Sequence, residues 1–156
     1  MNKKEEVINA ARDLFTKYGY KKVSMDEIAK EANVTKKTIY SYFSDKEAMF
    51  KYFASEELQS MKEKIENDVN SSTSFIDKVS KILYESLLFR KNSDLIKTII
   101  KEISKSNTAE CISFLKFYDD EIVSYIEEKI IQEIQNKTIK KCDAHLTAFI
   151  IYKVYS

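Results

Sequence analysis

Proline is absent from the 156-residue sequence, and glycine occurs once, at Gly19. Tight turns and two-residue β-hairpins depend largely on these two residue types. A chain with almost none of either has few means to connect the short strands of a sheet. Lys, Glu and Ile are frequent instead, and together with alanine-type residues they favour helix. The sequence therefore predicts an all-α protein.

Apolar residues recur every three or four positions along most of the chain, as on one face of a helix. The first such pattern stops at Gly19, where a helix end accepts a residue with positive φ. A polar stretch at 70–74 is predicted to end the longest helix of the amino-terminal half. Helices are predicted at 3–18, 24–31, 35–43, 44–68, 74–90, 93–105 and 108–135, with another beginning near Asp143.

Polar residues mark the starts of three of these helices. Ser24 with Glu27, and Ser44 with Glu47, show the spacing of a capping box, which satisfies two otherwise unpaired helix amides. Thr35 is predicted to cap the helix between them. Three helix N-termini are therefore expected close together in sequence.

Composition limits the classes to which the chain can belong. Hydrophobic residues make up 44% of it, and Tyr and Phe supply 19 rings, so we expect one domain or one core with a small module. No run of about 18 apolar residues occurs, and the start, MNKKEEV, lacks the apolar core of a signal peptide. We therefore expect a cytoplasmic protein.

The net charge of +1 is unevenly divided along the chain. Residues 1–53 hold 11 Lys or Arg against 8 Asp or Glu, whereas residues 54–156 hold 15 against 17. This mild excess of positive charge does not by itself identify a nucleic-acid-binding protein.

The segment NVTKKTIYSYFSDKEAMF, residues 33–50, combines four aromatic rings with three lysines. On a helix that starts at Thr35, positions 39, 42 and 43 share one side, and Ile39 and Phe43 can therefore pack inward. Two short helices joined by a tight turn, the second with a basic and hydroxylic outer face, are typical of a helix-turn-helix. The second helix would enter a DNA major groove with its first residues toward the base edges. Its outer face is predicted to carry Lys36, Lys37, Tyr40 and Ser41.

Solvation of a surface helix is the other explanation of these lysines, since lysine is usually exposed. The neighbouring helix N-termini favour phosphate binding instead, because open helix ends attract anions. Lys46 lies in the first turn after Ser44, where a cation opposes the helix dipole, and a phosphate would remove that conflict. We therefore interpret the segment as a DNA-binding surface.

Phe15 followed by Gly19, and then the run SMDEIAKEANVTKKTIYSYFSDKEAMF, resembles the DNA-binding domain of the tetracycline-repressor (TetR) family. The resemblance covers about residues 5–53 and is specific in spacing and residue type. The remaining two thirds is similar only in the number and layout of helices. The resemblance implies an N-terminal three-helix helix-turn-helix DNA-binding domain, residues 1–46. It also implies a C-terminal helical ligand-binding and dimerisation domain, residues 47–156.

The family's DNA-contacting positions can be carried over to this sequence one by one. Thr35, Tyr40 and Lys46 occupy positions that usually contact phosphates. Many members have a small residue where this chain has Lys37, so the operator sequence does not follow from the family. The DNA-binding set implied by the resemblance is Ser24, Met25, Thr35, Lys36, Lys37, Thr38, Tyr40, Ser41, Tyr42 and Lys46.

The resemblance also implies a mechanism. A homodimer would place two recognition helices one DNA turn apart on a palindromic operator. A small effector bound in the C-terminal body would move the long helix that follows Ser44 and release the DNA. The protein is thus expected to be a ligand-responsive transcriptional regulator, and a repressor. The alternative is a helical scaffold or adaptor, or a small-molecule-binding protein without DNA-binding activity.

Rings and aliphatic side chains are plentiful on the helices predicted at 74–90 and 108–135. Ordinary core packing accounts for them singly, but as a group they predict a pocket for a small apolar effector, aromatic or acyl. Arg90 either pairs with an acid group of the effector or rests at a helix C-terminus, where the dipole favours it. The predicted effector-binding set is Tyr84, Leu87, Leu88, Arg90, Phe114, Phe117, Tyr118 and Ile122.

The sequence argues against an enzyme, a cofactor and a metal site. His145 is the only histidine, and a single glycine cannot form a glycine-rich phosphate loop. The acidic residues 119–121 are consecutive on a helix, so they point in different directions and are expected to form a solvated patch. Cys111 and Cys142 fit no metal or redox pattern and are expected to be reduced, partly buried thiols.

Residues 144–156 are almost all apolar, which predicts a helix buried on more than one side. In the TetR family the last two helices of each subunit form a four-helix bundle with those of the partner. We expect this segment to begin the first of them, and the chain to continue beyond Ser156 by one or two helices. We also expect the intact protein to be a dimer through this region.

Overall fold

A computed structural model of the protein describes residues 2–69 and 74–155. Within these ranges the chain forms eight α-helices and no strand, which confirms the all-α prediction. The break predicted at 70–74 lies, apart from Ser74, outside the described residues. The helices are α1 (Lys3–Tyr18), α2 (Met25–Glu31), α3 (Lys36–Tyr40), α4 (Lys46–Val69), α5 (Phe75–Asn92), α6 (Asp94–Ser106), α7 (Ala109–Gln135) and α8 (Ala144–Tyr155).

The helices divide into two compact units. In the described part of the chain, the first unit holds residues 2–56 and 92–114, and the second holds residues 57–69, 74–91 and 115–155. The first unit contains helices α1, α2, α3 and α6. The second unit contains α8 and all of α5 except its last residue. Helices α4 and α7 contribute to both units. The functional division at residue 46 stays a prediction.

The core of the first unit is a cluster of aromatic rings. Phe50 of α4 lies edge-on to Phe15 of α1, with their ring centroids 5.5 Å apart. Its ring is 4.7 Å from that of Tyr20, in the loop after α1, and 5.1 Å from that of Phe114 in α7. All four side chains are buried. Contacts of this kind add about 0.5–1.5 kcal/mol each beyond the area that they bury.

Gly19 ends α1 in a conformation that other residues avoid. Its N–H donates to Phe15 O over 3.0 Å, so it caps the helix as the sequence predicts. Its φ of 87° and ψ of 163° lie in a region that is essentially restricted to glycine. A β-carbon at this position would also overlap the Glu102 carboxylate. Backbone strain and lack of space both require glycine here.

Glu102 and Thr98 of α6 fasten that helix to the end of α1. The Glu102 Oε1 atom accepts from the N–H of Lys21 at 2.9 Å and from the Thr108 hydroxyl at 3.1 Å. The Thr98 hydroxyl donates to Thr16 O at 2.7 Å. The loop after α1, which leads into α2, is therefore held by side chains from a distant part of the sequence.

The second unit has an apolar core that encloses polar pairs. The Tyr118 hydroxyl donates to Ser86 O at 3.0 Å, which joins α7 to α5. Lys129, only 6% exposed, lies 3.0 Å from Glu66 Oε1, and Glu133, also 6% exposed, lies 2.6 Å from Lys78 Nζ. These pairs supply the partners that buried charges require.

Helix α8 buries one side against the second unit. Ala148 and Tyr152 are buried, and the Tyr152 hydroxyl donates to Asp119 Oδ1 at 2.6 Å. The prediction of burial on more than one side is not met within a single chain. The large apolar side chains of α8 that remain exposed are Leu146, Phe149, Ile150, Val154 and Tyr155.

We expect Gly19→Ala to lower the free energy of unfolding by about 1–3 kcal/mol, the usual cost of a non-glycine residue in this backbone region. Urea denaturation followed by circular dichroism would measure it. In a Glu102→Ala background the overlap with the carboxylate disappears, but the backbone cost remains. A Gly19→Ala variant as stable as wild type would contradict the role assigned to this turn.

Candidate nucleic-acid interface

The start of α2 is fixed by the capping box that the sequence predicts. The Ser24 N–H donates to Glu27 Oε2 at 2.8 Å, and the Glu27 N–H donates to Ser24 Oγ at 3.3 Å. The hydroxyl of Ser24 bonds the same carboxylate and lowers the pKa of Glu27. Two unpaired amides at the helix start are satisfied, so α2 begins at Met25 and no earlier.

The turn between α2 and α3 is short and closed by backbone hydrogen bonds. Asn33 adopts a φ of 52°, a left-handed conformation that asparagine tolerates better than most residues. The Val34 N–H donates to Ala29 O at 3.0 Å. Thr35 then caps α3, and its Oγ1 atom accepts from the Thr38 N–H at 3.2 Å. The predicted helix-turn-helix and the predicted threonine cap are both confirmed.

Helix α3 has a buried side and an exposed side. Ile39 is fully buried and Phe43, in the turn that follows, is 7% exposed. Tyr42 departs from the expected grouping with these two, since it is 38% exposed. The helix ends at Tyr40, three residues earlier than predicted, and this changes the direction of the Tyr42 side chain. The exposed side carries Lys36, Lys37, Tyr40 and Ser41, as the sequence predicts.

Lys36 reaches back to α2 and pairs with Asp26 over 2.7 Å. The hydrogen bond to Asp26 raises the pKa of Lys36. Both side chains are largely exposed, so the pair contributes little to stability and can exchange for another anion. Lys37 forms no ion pair with any residue of the described ranges.

The capping box predicted at Ser44 is wrong, because Asp45 takes its place. The Asp45 Oδ1 atom accepts from the Ala48 N–H at 2.7 Å, and this bond lowers the pKa of Asp45. Ser44 donates its hydroxyl to the same carboxylate over 3.0 Å and so supports the cap from outside. A carboxylate bonds a helix amide more strongly than a hydroxyl does. Helix α4 therefore begins at Lys46.

Lys46 already has partners within the protein. Its Nζ atom donates to Tyr20 O and to Val23 O, each at 3.0 Å, and lies 4.2 Å from the centroid of the Tyr20 ring. The sequence suggested that a phosphate would offset the unfavourable position of this cation in the helix dipole. These contacts stabilise the cation there without a phosphate. An ammonium has three N–H donors, so one remains for a phosphate oxygen. The phosphate contact of Lys46 stays a prediction.

The predicted effector-binding residues are divided between the two units and between buried and exposed positions. Phe114 belongs to the first unit, where it packs on Phe50. In the second unit, Tyr118 stacks on Phe89 with centroids 6.2 Å apart and Ile122 is fully buried. Leu88 is half-buried, whereas three other members of the set are exposed: Tyr84, Leu87 and Phe117.

Arg90 lies in the last turn of α5, 3.7 Å from Asp119 Oδ1. This is the helix-end position that the sequence offered as one alternative. The solvated acidic patch predicted at 119–121 is wrong in part. Asp119 is shared between Tyr152 and two cations, Glu121 pairs with Lys62 over 2.6 Å, and only Asp120 is exposed. Sequence reasoning missed these pairs because their partners are distant in the chain.

The cysteines differ in environment. Cys111 is fully buried, and burial raises the pKa of its thiol to about 12. Cys142 is exposed, which corrects the expectation that both are partly buried. His145 lies 2.8 Å from Glu127 Oε2, and the pKa of this histidine is raised by that hydrogen bond. No group of three or more Cys, His, Asp and Glu in the described ranges can hold a metal ion.

Similarity to known proteins shows to which family this helix-turn-helix belongs. The pattern of bacterial regulatory proteins of the tetR family matches residues 7–53. The HTH-type transcriptional regulator YhgD of Bacillus subtilis is 36% identical over 155 residues, which span 99% of this chain and 81% of that protein. The chain belongs to the TetR family.

Solved structures of TetR-family fold extend the likeness over nearly the whole chain. FadR from Bacillus subtilis, in complex with stearoyl-CoA, has a TM-score of 0.72 at 20% identity, covering 97% of this chain and 82% of that one. AibR, in complex with isovaleryl coenzyme A and operator DNA, has a TM-score of 0.60 at 20% identity, covering 99% and 84%. At 20% sequence identity, this similarity shows that the chains share a fold.

The TetR family consists of transcriptional regulators, and this protein is one of them. Its curated relatives YhgD and YuxN of Bacillus subtilis are both HTH-type transcriptional regulators. No helix in the described part of the chain is both long and apolar enough to cross a membrane.

We expect the exposed side of α3 to respond to substitution in two different ways. Tyr40→Ala should weaken binding to every DNA sequence to a similar extent, as removal of a phosphate contact does, and should leave the salt dependence unchanged, because the tyrosine carries no charge. Lys37→Ala should change the order of preference among operator variants if Lys37 contacts a base. Fluorescence anisotropy on a set of duplexes at several salt concentrations measures both.

The matched control is Lys105→Ala, which removes an exposed lysine on α6 and should leave binding unchanged. DNA affinities that are the same for wild type, Tyr40→Ala and Lys37→Ala would contradict the assignment of this surface.

Proposed function

We propose that this TetR-family regulator represses transcription by binding a palindromic operator as a homodimer. A small effector with an apolar part releases it. The observation that carries the proposal is the geometry of α3, which buries Ile39 and exposes Lys37 and Tyr40. A rigid helix with this outer surface suits insertion into a major groove. We place this activity in residues 1–46, effector binding and dimerisation in residues 47–156, and the protein in the cytoplasm.

The apolar surface of α8 supports a homodimer. Leu146, Ile150 and Val154 follow one another at intervals of four residues, so they form a stripe along the helix. Each of them is at least half exposed in the single chain. A contiguous apolar patch of this kind on a monomer commonly marks a protein interface. A second copy would bury the same stripe on both subunits.

Two structural neighbours support an effector with an acyl group. FadR from Bacillus subtilis is in complex with stearoyl-CoA, and AibR with isovaleryl coenzyme A. The second unit of this chain is rich in apolar and aromatic side chains, which suits an acyl or aromatic part. We therefore propose an acyl-coenzyme A as the first class to test. The effector acts only if it binds the released conformation better than the DNA-bound one.

A scaffold or a small-molecule-binding protein without DNA-binding activity is the second candidate. It predicts that no duplex is bound with a preference over unrelated DNA.

We expect stearoyl-CoA or isovaleryl-CoA to reduce affinity for operator DNA by about 5–150-fold, the usual range of allosteric coupling. The assay is anisotropy of a labelled duplex taken from upstream of the protein's own gene, with unlabelled duplex as competitor. Free coenzyme A, which lacks the acyl group, is the control. Release by small, highly charged molecules alone would count against an apolar effector, and absence of any specific binding would favour the second candidate.

We expect Ile150→Glu to shift the protein from dimer to monomer, because a carboxylate would be buried in an apolar interface. Sedimentation velocity at micromolar concentration measures the change. Asn136→Asp, which adds one negative charge at an exposed position at the end of α7, is the control and should leave the dimer intact. If wild type and Ile150→Glu sediment alike, α8 is not the interface.

A further inference from the structure

A cleft of about 450 Å³ lies beside the helix-turn-helix, within the first unit. It is formed by the start of α1, the end of α2 with the turn that follows, and the first residues of α3. Its lining is basic and polar apart from Ala29 and Val34, and consists of Lys3, Ala29, Lys30, Asn33, Val34, Thr35 and Thr38. The sequence singled out Thr35 and Thr38, but neither lysine of the cleft.

The two lysines of the cleft, like Lys37 of α3, have no anionic partner among the residues that the structure describes. Lys3 and Lys30 are exposed, and neither forms an ion pair with any residue of 2–69 or 74–155. By contrast, Lys36 pairs with Asp26, and Lys51 pairs with Glu47 over 2.7 Å. Two uncompensated cations on one cleft repel each other, and an anion between them would remove the repulsion.

The threonines that line the cleft offer hydrogen-bond donors. The hydroxyl oxygens of Thr35 and Thr38 lie 3.0 Å apart, so one of them donates to the other and the second proton is free to point elsewhere. The Asn33 side chain is exposed beside them. Ammonium, hydroxyl and amide groups together are the donor set that DNA-binding proteins direct at phosphate oxygens.

Helix polarity adds to this preference. Lys3 is the first residue of α1, where a cation is disfavoured by the helix dipole. The same helix start also carries Asn2, Glu5 and Glu6, which satisfy backbone amides or complement the positive end of the helix dipole. None of these three side chains forms an ion pair with the Lys3 ammonium. A phosphate bound by Lys3 would stabilise both the side chain and the helix start.

We propose that Lys3 and Lys30 bind backbone phosphates of the operator DNA in this cleft, next to the groups that α3 inserts into the groove. The inference rests on the proposed DNA-binding function and extends it to α1 and to the end of α2. A duplex is the occupant that fits, because Thr35 and Thr38 belong to both the cleft and the start of α3. An anion bound here is therefore continuous with the surface that carries Lys37. A free phosphate would bind in the cleft without reaching that surface.

The phosphate contact would also have a structural consequence. Lys3 belongs to α1, Lys30 to α2 and Thr38 to α3, so phosphates in the cleft join all three helices of residues 1–46. DNA binding would then fix the angle of α3 through the same contacts that supply affinity. Such contacts position a protein on DNA without reading its sequence.

The test is the salt dependence of DNA affinity for full chains carrying Lys3→Gln and Lys30→Gln together. The slope of log K against log salt is negative, and each phosphate that is no longer bound should reduce its magnitude by about 0.9. The double variant should therefore reduce the magnitude by about twice that per chain. The change should be the same on specific and unrelated duplexes, and the order of preference among duplexes should stay as in wild type. The control, Lys101→Gln with Lys105→Gln, removes two exposed lysines of α6 and should keep the wild-type slope.

Three outcomes would overturn the inference. If the Lys3→Gln/Lys30→Gln protein binds DNA with the wild-type slope, these lysines do not contact phosphates. The proposed function would be unaffected by that result. An equal decrease of slope in the control shows that only net charge matters. Chemical-shift changes at the cleft with millimolar inorganic phosphate, without a change in DNA slope, assign it to free phosphate. Wild-type protein that binds no DNA would end the proposed function as well.

Discussion

The ring of Phe50 holds together the elements that present α3. Phe50 is almost fully buried, and its ring lies against rings contributed by α1, by the loop after α1 and by α7. It stands one turn beyond Lys46, whose ammonium binds the carbonyl oxygens of that same loop. The apolar contact and the hydrogen bonds therefore fix the same segment from two directions. Truncation of a buried ring of this kind commonly costs about 3–5 kcal/mol, a large part of the stability of a small protein.

Local signals in the sequence predict most of the helix-turn-helix and the side of α3 that is exposed. The Ser24–Glu27 box, the Thr35 cap and Gly19 are each specified within four residues, and each lies where the sequence predicts it. The side of α3 that is buried follows from helical spacing alone. Errors arise where two local signals compete. Ser44 and Asp45 can both cap the same helix, and the stronger acceptor does so. The expected grouping of Tyr42 with Ile39 and Phe43 fails because α3 ends before Tyr42.

Contacts between distant residues are not predictable in the same way. Helical spacing shows that Phe114 has an inward side, but not that its partner is Phe50 in the first unit. The same limit applies to Asp119, which the sequence predicts to be solvated although Tyr152 binds it from a helix more than thirty residues away. Which helix faces meet to form a pocket therefore does not follow from helical spacing. The helix-turn-helix does follow from local signals, because it lies on consecutive short helices.

Two ion pairs of the second unit, Lys129–Glu66 and Lys78–Glu133, suggest how its sequence can change over evolution. In each pair one member is enclosed and the other faces water: the Lys129 side chain is 8% exposed against 40% for Glu66, and Glu133 8% against 26% for Lys78. Loss of the enclosed member leaves a charge that water can still solvate. Loss of the outer member strands a charge in the core, which costs about 3–5 kcal/mol in a fully buried pair. The outer residues Glu66 and Lys78, which look like ordinary surface positions, should therefore be the less replaceable of the two. Relatives should exchange these residues in pairs, or lose the enclosed member first.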